Sequence, residues 1–384
     1  DAEVFVGGSF AKSTVVKKEK YDADVFIRFS KKHKNKNLSK LTKKFLKGIK
    51  KQKIHGSRDY FKIYPKKKFA IEVVPVLKIN KPEEAENVTD LSYSHVKYVK
   101  DKASLSKKLL DEIKLAKAFC EANKCYGAES YINGFSGYAL ELLIIYYRSF
   151  LNFLKNTCIL EDIKDSKPVI DIENKYDNKN QIMLDLNSSK LNSPIILIDP
   201  TYKKRNSLAA LSEETFEKFK EKCKDFLKNP DLKYFEKQKT DINQVKKQAK
   251  QRGERFLLLE AKTTKQPGDI AGSKLSKFHK HLAEEISQFF EIHEKGFNYD
   301  MKKTARFFFV LKPKKEIVFM GPPVKDKENV KRFRKEHKKV IQKGERLYAL
   351  EKVNNTPREF VKEWKKNNKR KLKEMSIKKL RILE

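Results

Sequence analysis

The chain has 384 residues, 39% of them hydrophobic and 26 of them Phe, which is enough apolar material for the cores of about two to four domains. Its formal net charge of +37 exceeds what solubility requires and predicts a polyanionic partner, nucleic acid before membrane, although an AT-rich coding sequence would also add lysines. No stretch approaches the roughly 20 apolar residues of a membrane span, and no signal peptide is recognisable, so we expect a soluble cytoplasmic protein.

The cysteines are scattered along the chain. Cys120, Cys125, Cys158 and Cys223 form no CxxC pair and fit no zinc-binding pattern of Cys and His. We therefore expect free thiols in a reducing compartment.

The first quarter of the chain predicts a small mixed sheet. The runs AEVFVGG, ADVFIRFS, YFKIYP and FAIEVVPVL are typical of strands, and residues 38–52 have the period of an amphipathic helix. After a predicted loop at 80–95, residues 96–124 and the run YALELLIIYYRSFLNFLKN predict helices.

The middle of the chain is less regular. The polar, Asn-rich stretch 164–193 predicts an irregular segment or a β-hairpin, PIILIDP predicts a buried strand, and LSEETFEKFKEKCKDFLKN predicts a helix. From about 231 the pattern changes to a second α/β domain, with strands RFLLLEAK, ARFFFVLK and EIVFMG, a long helix around 273–292 and a helix after GPPV.

The last stretch, 357–384, predicts a basic helix whose few apolar side chains are Phe360, Val361, Trp364 and Leu372. A solvated surface helix and a nucleic-acid-binding arm are both compatible with this pattern.

Candidate chemistry is concentrated in residues 7–29, GGSFAKSTVVKKEKYDADVFIRF. Asp22 and Asp24 should project from one face of a strand, because side chains alternate across it. Two such carboxylates raise each other's pKa unless a cation lies between them, and Mg²⁺ is the natural cation because it prefers oxygen ligands and couples carboxylates to phosphates. Glu72, in AIEVVP, could add a third carboxylate from a neighbouring strand. The sequence predicts that these three residues bind Mg²⁺ and carry the catalysis.

The glycine turn that precedes these carboxylates predicts phosphate binding. Gly8 allows close approach of the backbone, Ser9 and main-chain N–H groups can contact phosphate oxygens, and Lys12 adds a positive charge. The turn is not a Walker loop, since GxxxxGK[ST] is absent. A GGS turn or a DxD pair alone is commonplace, but their order on successive elements indicates a nucleotide-transferring site.

This order resembles the nucleotidyltransferases of the DNA polymerase β type. VGGSFAKST, DADVFIRF, IEVVP, NGFSGYALELLIIYYRSFLNFLK, IDPTYKKRNSLAALS and FMGPPVKDKENVKRFRKEH resemble blocks of the archaeal, class I CCA-adding enzymes, which are tRNA nucleotidyltransferases. The resemblance runs from residue 4 to about 350. Glu72 stands where the family usually has Asp, and Leu91 stands where it has Arg.

The resemblance implies a multidomain α+β fold: a polymerase β-like head of mixed sheet and helices, a helical neck, an α/β body and a basic helical tail. We expect these parts at 1–95, 96–230, 231–350 and 351–384.

The resemblance also implies roles for single residues. Ser9 and Lys12 would contact the triphosphate, and His95, Lys117 and Tyr126 would bind the sugar and triphosphate of the incoming nucleotide.

Arg205 matches the arginine of the family that reads the base. Its guanidinium donors suit the acceptors on the Watson–Crick edges of cytosine and adenine, whereas guanine and uracil present an N–H there. A phosphate clamp is the alternative role. Ser136 and Glu141 have no assigned role, although GFSG is favoured as a helix cap over a contact with the primer backbone.

The activity implied is addition of C, C and A to the 3′ end of tRNA from CTP and ATP. The body and tail would recognise the tRNA by its shape. The alternatives are a narrower RNA nucleotidyltransferase that adds A or makes oligoadenylate, and a non-catalytic tRNA-binding protein. Members of the family begin with a few tens of residues before the GGS strand, so we expect that this segment was trimmed or comes from a second polypeptide, with an exposed apolar patch at its place.

Overall fold

The computed structural model describes residues 1–17, 20–104, 106–160, 167–237, 240–314, 316–351 and 356–384. The chain forms two compact units, Asp1–Gln238 and Lys239–Glu384, and each contains sheets and helices. This confirms the predicted α+β class. Among the described residues no helix is both long and apolar enough to span a membrane.

The first unit opens with a five-stranded sheet. In chain order its first elements are β1 (Ala2–Val6), α1 (Gly8–Ala11), β2 (Tyr21–Phe29), α2 (Leu38–Phe45), β3 (Gln52–Ile54), β4 (Tyr60–Lys66) and β5 (Phe69–Leu77). The strand order is β1-β2-β5-β4-β3, with β2 parallel to β5 and the other pairs antiparallel. The predicted strands are confirmed. The amphipathic helix predicted at 38–52 does begin at Leu38, but it ends at Phe45, and β3 begins at Gln52.

The two faces of this sheet differ in chemistry because side chains alternate along β2 and β5. Ile27 and Phe29 point to one face, where they pack with Leu38 of α2 and with Val73 and Leu77 of β5. The acidic side chains of β2 and β5 belong to the opposite face. On the edge strand β1, Val4 and Val6 are exposed, as is Phe10 of α1.

Helices make up most of the rest of the first unit: α3 (Ser92–Ser104), α4 (Lys107–Ala122), α5 (Gly137–Tyr147), α6 (Phe150–Cys158), α7 (Lys179–Asp185) and α8 (Ser188–Leu191), followed by strands and a last helix described below. Helix α5 is central, and Ala139 to Ile145 are all buried. The Ser136 side chain accepts a hydrogen bond from Ala139 N at 3.1 Å, which confirms the capping role of GFSG.

The predicted β-hairpin at 164–193 is wrong where the structure describes it. Residues 164–166 lie outside the described residues, and the remainder holds a two-residue strand, β6 (Val169–Ile170), together with α7 and α8. Asn178 and Asn187 accept hydrogen bonds from Gln181 N and Lys190 N, so the asparagines begin helices rather than form a hairpin turn. Strand β6 pairs in parallel with β7 (Ile196–Asp199), which pairs with β8 (Tyr202–Asn206); α9 (Glu213–Lys228) follows.

The second unit is an α/β structure. Its elements are α10 (Ile242–Gln251), β9 (Arg255–Thr263), α11 (Asp269–Ser287), β10 (Phe290–Tyr299), β11 (Thr304–Pro313), β12 (Ile317–Pro323), α12 (Lys327–Glu336), β13 (Val340–Lys343), β14 (Arg346–Glu351), α13 (Pro357–Asn367), α14 (Lys369–Glu374) and β15 (Ile377–Ile382). The sheets have the orders β10-β11-β9-β15 and β12-β14-β13. The three predicted strands are confirmed, while the long helix ends at Ser287 and the chain then enters β10.

The end of the chain differs from the predicted single helix. The apolar side chains Phe360, Val361 and Trp364 pack into the core of the second unit, and Trp364 Nε1 donates to Glu285 Oε2 at 3.0 Å. The prediction of a helix beyond Glu374 is wrong, because Ile377–Ile382 pairs antiparallel with β9 and buries Ile377 and Leu380.

Candidate active site

Three acidic side chains lie on the open face of the first sheet. In the parallel register of β2 and β5, Asp24 lies opposite Glu72 and Asp22 lies opposite Ala70. Asp22, Asp24 and Glu72 therefore occupy one face at the same end of neighbouring strands. The structure thus places the three predicted carboxylates together on the sheet.

The electrostatics of this group reflect its crowding. Burial, together with the charges of Glu72 and Asp22, raises the pKa of Asp24 to about 6. Glu72 is paired with Lys62, which lies opposite it on β4, and Lys62 Nζ is 2.6 Å from Glu72 Oε1. Within the described ranges, no three Asp, Glu, His or Cys side chains form a ready-made metal-binding group. The donors nevertheless fit a divalent cation, because such a cation prefers carboxylate oxygens and would relieve the repulsion that raises the pKa of Asp24.

The glycine turn packs directly against Asp24. Gly8 has φ of +60°, and a Cβ there would lie 1.8 Å from Asp24 Oδ2. Gly7 N donates to the Asp24 carbonyl oxygen at 2.8 Å. Gly8 is therefore required by both its backbone conformation and its distance from Asp24.

A small cleft opens beside the turn. Ser9, Asp22, Lys117 and Tyr126 line it, with Thr14 and apolar side chains. Tyr126 lies close to the start of α5, since a Cβ on Gly137 would be 2.8 Å from the Tyr126 hydroxyl oxygen. Burial raises the pKa of Tyr126, so this hydroxyl stays protonated. The structure thus gathers four of the predicted site residues around one opening.

Lys12 and Lys117 meet at a buried carboxylate that the sequence analysis left unassigned. Lys12 Nζ is 2.5 Å from Glu141 Oε2, and Lys117 Nζ is 2.7 Å from Glu141 Oε1. Thr14 Oγ1 also donates to Glu141 Oε1, at 2.8 Å. Burial alone would raise the pKa of Glu141, but the two lysine charges hold it below its usual value. A lone acidic residue in the apolar run YALELLII was the signal in the sequence.

Arg205 and His95 meet at a second buried carboxylate, Asp199 at the end of β7. His95 Nε2 lies 3.0 Å and Arg205 Nη1 lies 2.6 Å from Asp199 Oδ2. Tyr138 OH donates to Asp199 Oδ1 at 3.0 Å, and its ring stacks on His95 with centroids 4.0 Å apart. His95 is on the first turn of α3 rather than in the predicted loop. The sequence analysis missed both Asp199 and Tyr138, although an acid at the end of the apolar run IILID was visible.

Charges stabilise the ionised form of Asp199. Burial would raise its pKa, but hydrogen bonding and charge from His95, with the charge of Arg205, hold the pKa well below the usual range. Burial also lowers the pKa of His95. Tyr138 connects the two clusters, because Lys12 Nζ lies 5.8 Å and the Arg205 guanidinium 5.7 Å from its ring centre.

The chain is similar to known tRNA nucleotidyltransferases. Residues 111–236 match the family "tRNA nucleotidyltransferase, second domain". The chain is 34% identical over 358 residues to the CCA-adding enzyme of Nanoarchaeum equitans. This alignment covers 92% of the present chain and 84% of that enzyme. It is 29% identical over 365 residues to the CCA-adding enzyme of Methanocaldococcus jannaschii, covering 90% and 77%.

Among solved structures, a MgATP-bound mutant of the Cid1 poly(U) polymerase covers 62% of this chain and 87% of its own, at 11% identity and a TM-score of 0.48. That likeness carries no argument here. The comparisons give no support to the expected second polypeptide. Because these relatives align with about nine-tenths of its length, the chain belongs to the CCA-adding enzymes, a family of tRNA nucleotidyltransferases.

Proposed function

We propose that this protein adds CCA to the 3′ end of tRNA, using CTP and ATP and releasing pyrophosphate. The observation that carries the proposal is the row of carboxylates at Asp22, Asp24 and Glu72 beside the Gly8 turn. Two parallel strands and a glycine without a side chain bring acidic oxygens next to a turn that a phosphate can approach. Family membership supplies the identity of the RNA and the nucleotides.

The carboxylates would hold Mg²⁺ between them. Bound there, Mg²⁺ would neutralise the charge that develops on the attacking oxygen and on the pyrophosphate. One of the three carboxylates would accept the proton of the tRNA 3′ hydroxyl, whose oxygen forms the new bond to the α-phosphorus while the bond to pyrophosphate breaks in line.

The remaining site residues would bind the nucleotide. Ser9 and Lys12 would contact the triphosphate, and His95, Lys117 and Tyr126 would bind the sugar and triphosphate. Each of the hydrogen bonds described for Arg205 uses Nη1, to Asp199 and Ser207. The guanidinium is thereby fixed in one orientation, and its other donors would face the acceptors of cytosine or adenine.

The second unit would bind the tRNA. A groove of about 640 Å³ on its four-stranded sheet is lined by basic side chains, interrupted by Glu260 and Asp300: Lys262, Arg306, Lys378, Lys379 and Arg381. Such a surface suits RNA phosphates, which are recognised through shape and charge.

We also propose that residues 1–95 act as the head, 96–230 as the neck, 231–350 as the body and 351–384 as the tail. The four cysteines are free thiols and suit the cytoplasmic location that the sequence predicts.

Purified protein, Mg²⁺, tRNA lacking its CCA end and single labelled nucleotides test this function. We expect C to be incorporated from CTP alone, and A to follow only after two C residues. Incorporation of A without prior C would favour the narrower RNA nucleotidyltransferase, and no incorporation of either would favour a tRNA-binding protein without catalysis.

A further inference from the structure

Glu141 is a buried acidic residue on a helix that does not need it for packing. Its neighbours on α5, from Ala139 to Ile145, are otherwise apolar and buried. A carboxylate in such a position is costly unless it is paired and hydrogen-bonded. Its pairing partners therefore indicate its purpose.

Those partners come from two distant segments of the first unit. Lys12 directly follows α1, the short helix that begins at the glycine turn, and Lys117 is on α4. Thr14 joins the two contacts, because its hydroxyl donates to Glu141 Oε1 and accepts from Lys117 Nζ, each at 2.8 Å. Four side chains thus form one buried network with two cations and one anion.

The network is located beside the proposed nucleotide site. Lys117 lines the cleft with Ser9, Asp22 and Tyr126. One positive charge remains after Glu141 balances the other, so the network can still attract an anion. Fixing flexible lysine side chains before binding also reduces the entropy lost when a ligand is bound.

We propose that Glu141 is a positioning residue, which holds the ammonium groups of Lys12 and Lys117 in place for the triphosphate of the incoming nucleotide. The inference rests on the proposed function, which assigns triphosphate binding to the two lysines. Glu141 does not touch the nucleotide itself. Without its carboxylate, the two buried ammonium groups would repel each other and would lose the acceptor that fixes them.

Glu141→Gln tests the proposal with little change of shape. Binding of inorganic tripolyphosphate to the full chain is measured by calorimetry, and CTP incorporation is measured in steady state. We expect the Kd for tripolyphosphate and the KM for CTP to rise roughly tenfold, with kcat and tRNA affinity changed less than about threefold. The control is Glu112→Gln, because Glu112 is on the same helix as Lys117 but accepts a hydrogen bond from Phe150 N at 2.7 Å; this variant should behave as wild type.

A double-mutant cycle separates positioning from general structural damage. In a Lys117→Met background, adding Glu141→Gln should raise the Kd for tripolyphosphate about threefold rather than tenfold, because only Lys12 is left for Glu141 to position. If Glu141→Gln alone does not fold, Lys117→Met is compared with the double variant, which removes a buried cation and anion together. A Kd that rises on adding Glu141→Gln supports the positioning of Lys12, and an unchanged Kd overturns it.

Two other results would overturn the proposal: wild-type tripolyphosphate affinity and CTP KM in folded Glu141→Gln, or equal weakening in both backgrounds. Failure of the proposed function is distinguishable, because the wild-type chain would then bind tripolyphosphate but transfer no nucleotide to tRNA.

Discussion

Asp24 on β2 and Glu72 on β5 lie opposite each other on neighbouring parallel strands, with Asp22 two residues before Asp24 on the same face. The pKa of Asp24 is raised to about 6 by burial and by these like charges. The carboxylates on the first sheet therefore repel one another, which is expected where a bound cation or proton completes the site.

Asp24→Asn should stabilise the metal-free protein. A carboxyl whose folded pKa exceeds its unfolded pKa contributes stability that is lost as pH rises through the folded value, so the variant should gain relative to wild type between about pH 4 and pH 7. We expect a gain on the order of 1 kcal/mol in the free energy of unfolding in EDTA. Denaturant unfolding at several pH values measures it.

Mg²⁺ should reverse this difference. An ion that binds only the folded state stabilises it, so added Mg²⁺ should stabilise wild type and leave Asp24→Asn nearly unchanged. Equal stabilisation of both proteins would place the ion elsewhere.

Gly8→Ala should cost roughly 100-fold in CCA addition, because the new Cβ would lie 1.8 Å from Asp24 Oδ2 and would displace that carboxylate. Gly253→Ala is the matched control. Gly253 also has a positive φ, of +70°, but a Cβ there meets no atom within 4 Å. The control should lose a comparable backbone term in thermal stability and keep its activity; equal loss of activity in both variants would count against the close-approach explanation.

Asp199→Asn should weaken base selection. The amide would no longer hold the Arg205 guanidinium or the His95 ring through a charged hydrogen bond, so we expect kcat/KM for CTP to fall roughly 10- to 100-fold and discrimination against UTP to shrink. Asp185→Asn is the control, since Asp185 lies near Lys203 and Lys204, which precede Arg205 on β8. Single-nucleotide incorporation with CTP, ATP and UTP provides the measurement, and unchanged discrimination would remove Asp199 from base selection.

Charge reversal in the basic groove should weaken tRNA binding without affecting chemistry. Lys378→Glu with Lys379→Glu should lower tRNA affinity and reduce the salt dependence of binding by about one ion per lysine, while kcat at saturating tRNA stays near wild type. Lys325→Glu, at a highly exposed lysine outside the groove lining, is the control for Lys378→Glu alone, because the two changes alter the net charge equally. Filter binding over a salt series distinguishes the two variants, and equal slopes would argue against the groove.

The sequence predicted the first sheet and its three carboxylates well because the signals are local. Strand alternation alone puts Asp22 and Asp24 on one face, and Glu72 stands out in an apolar run. Glu141 and Asp199 were not assigned, because their roles depend on contacts with residues as far away as Lys12, 129 positions earlier in the chain.

The last strand was mistaken for a helix for a definable reason. Ile377 and Leu380 are three residues apart, which is helical spacing, yet a register shift between Ile377 and Lys379 lets a strand bury both. Strand β10 was also missed. Its side chains alternate between more and less exposed positions, but charged residues among them make the apolar alternation hard to recognise in the sequence.

The most direct test of the account is CCA addition by wild type and Asp24→Asn, compared with tRNA binding by the same two proteins. We expect wild type to add C, C and A in order, and the variant to lose at least about 1,000-fold in rate with tRNA affinity within about twofold of wild type. Wild-type rates of nucleotide addition by folded Asp24→Asn would contradict the assignment of the catalytic centre to the carboxylates of β2 and β5.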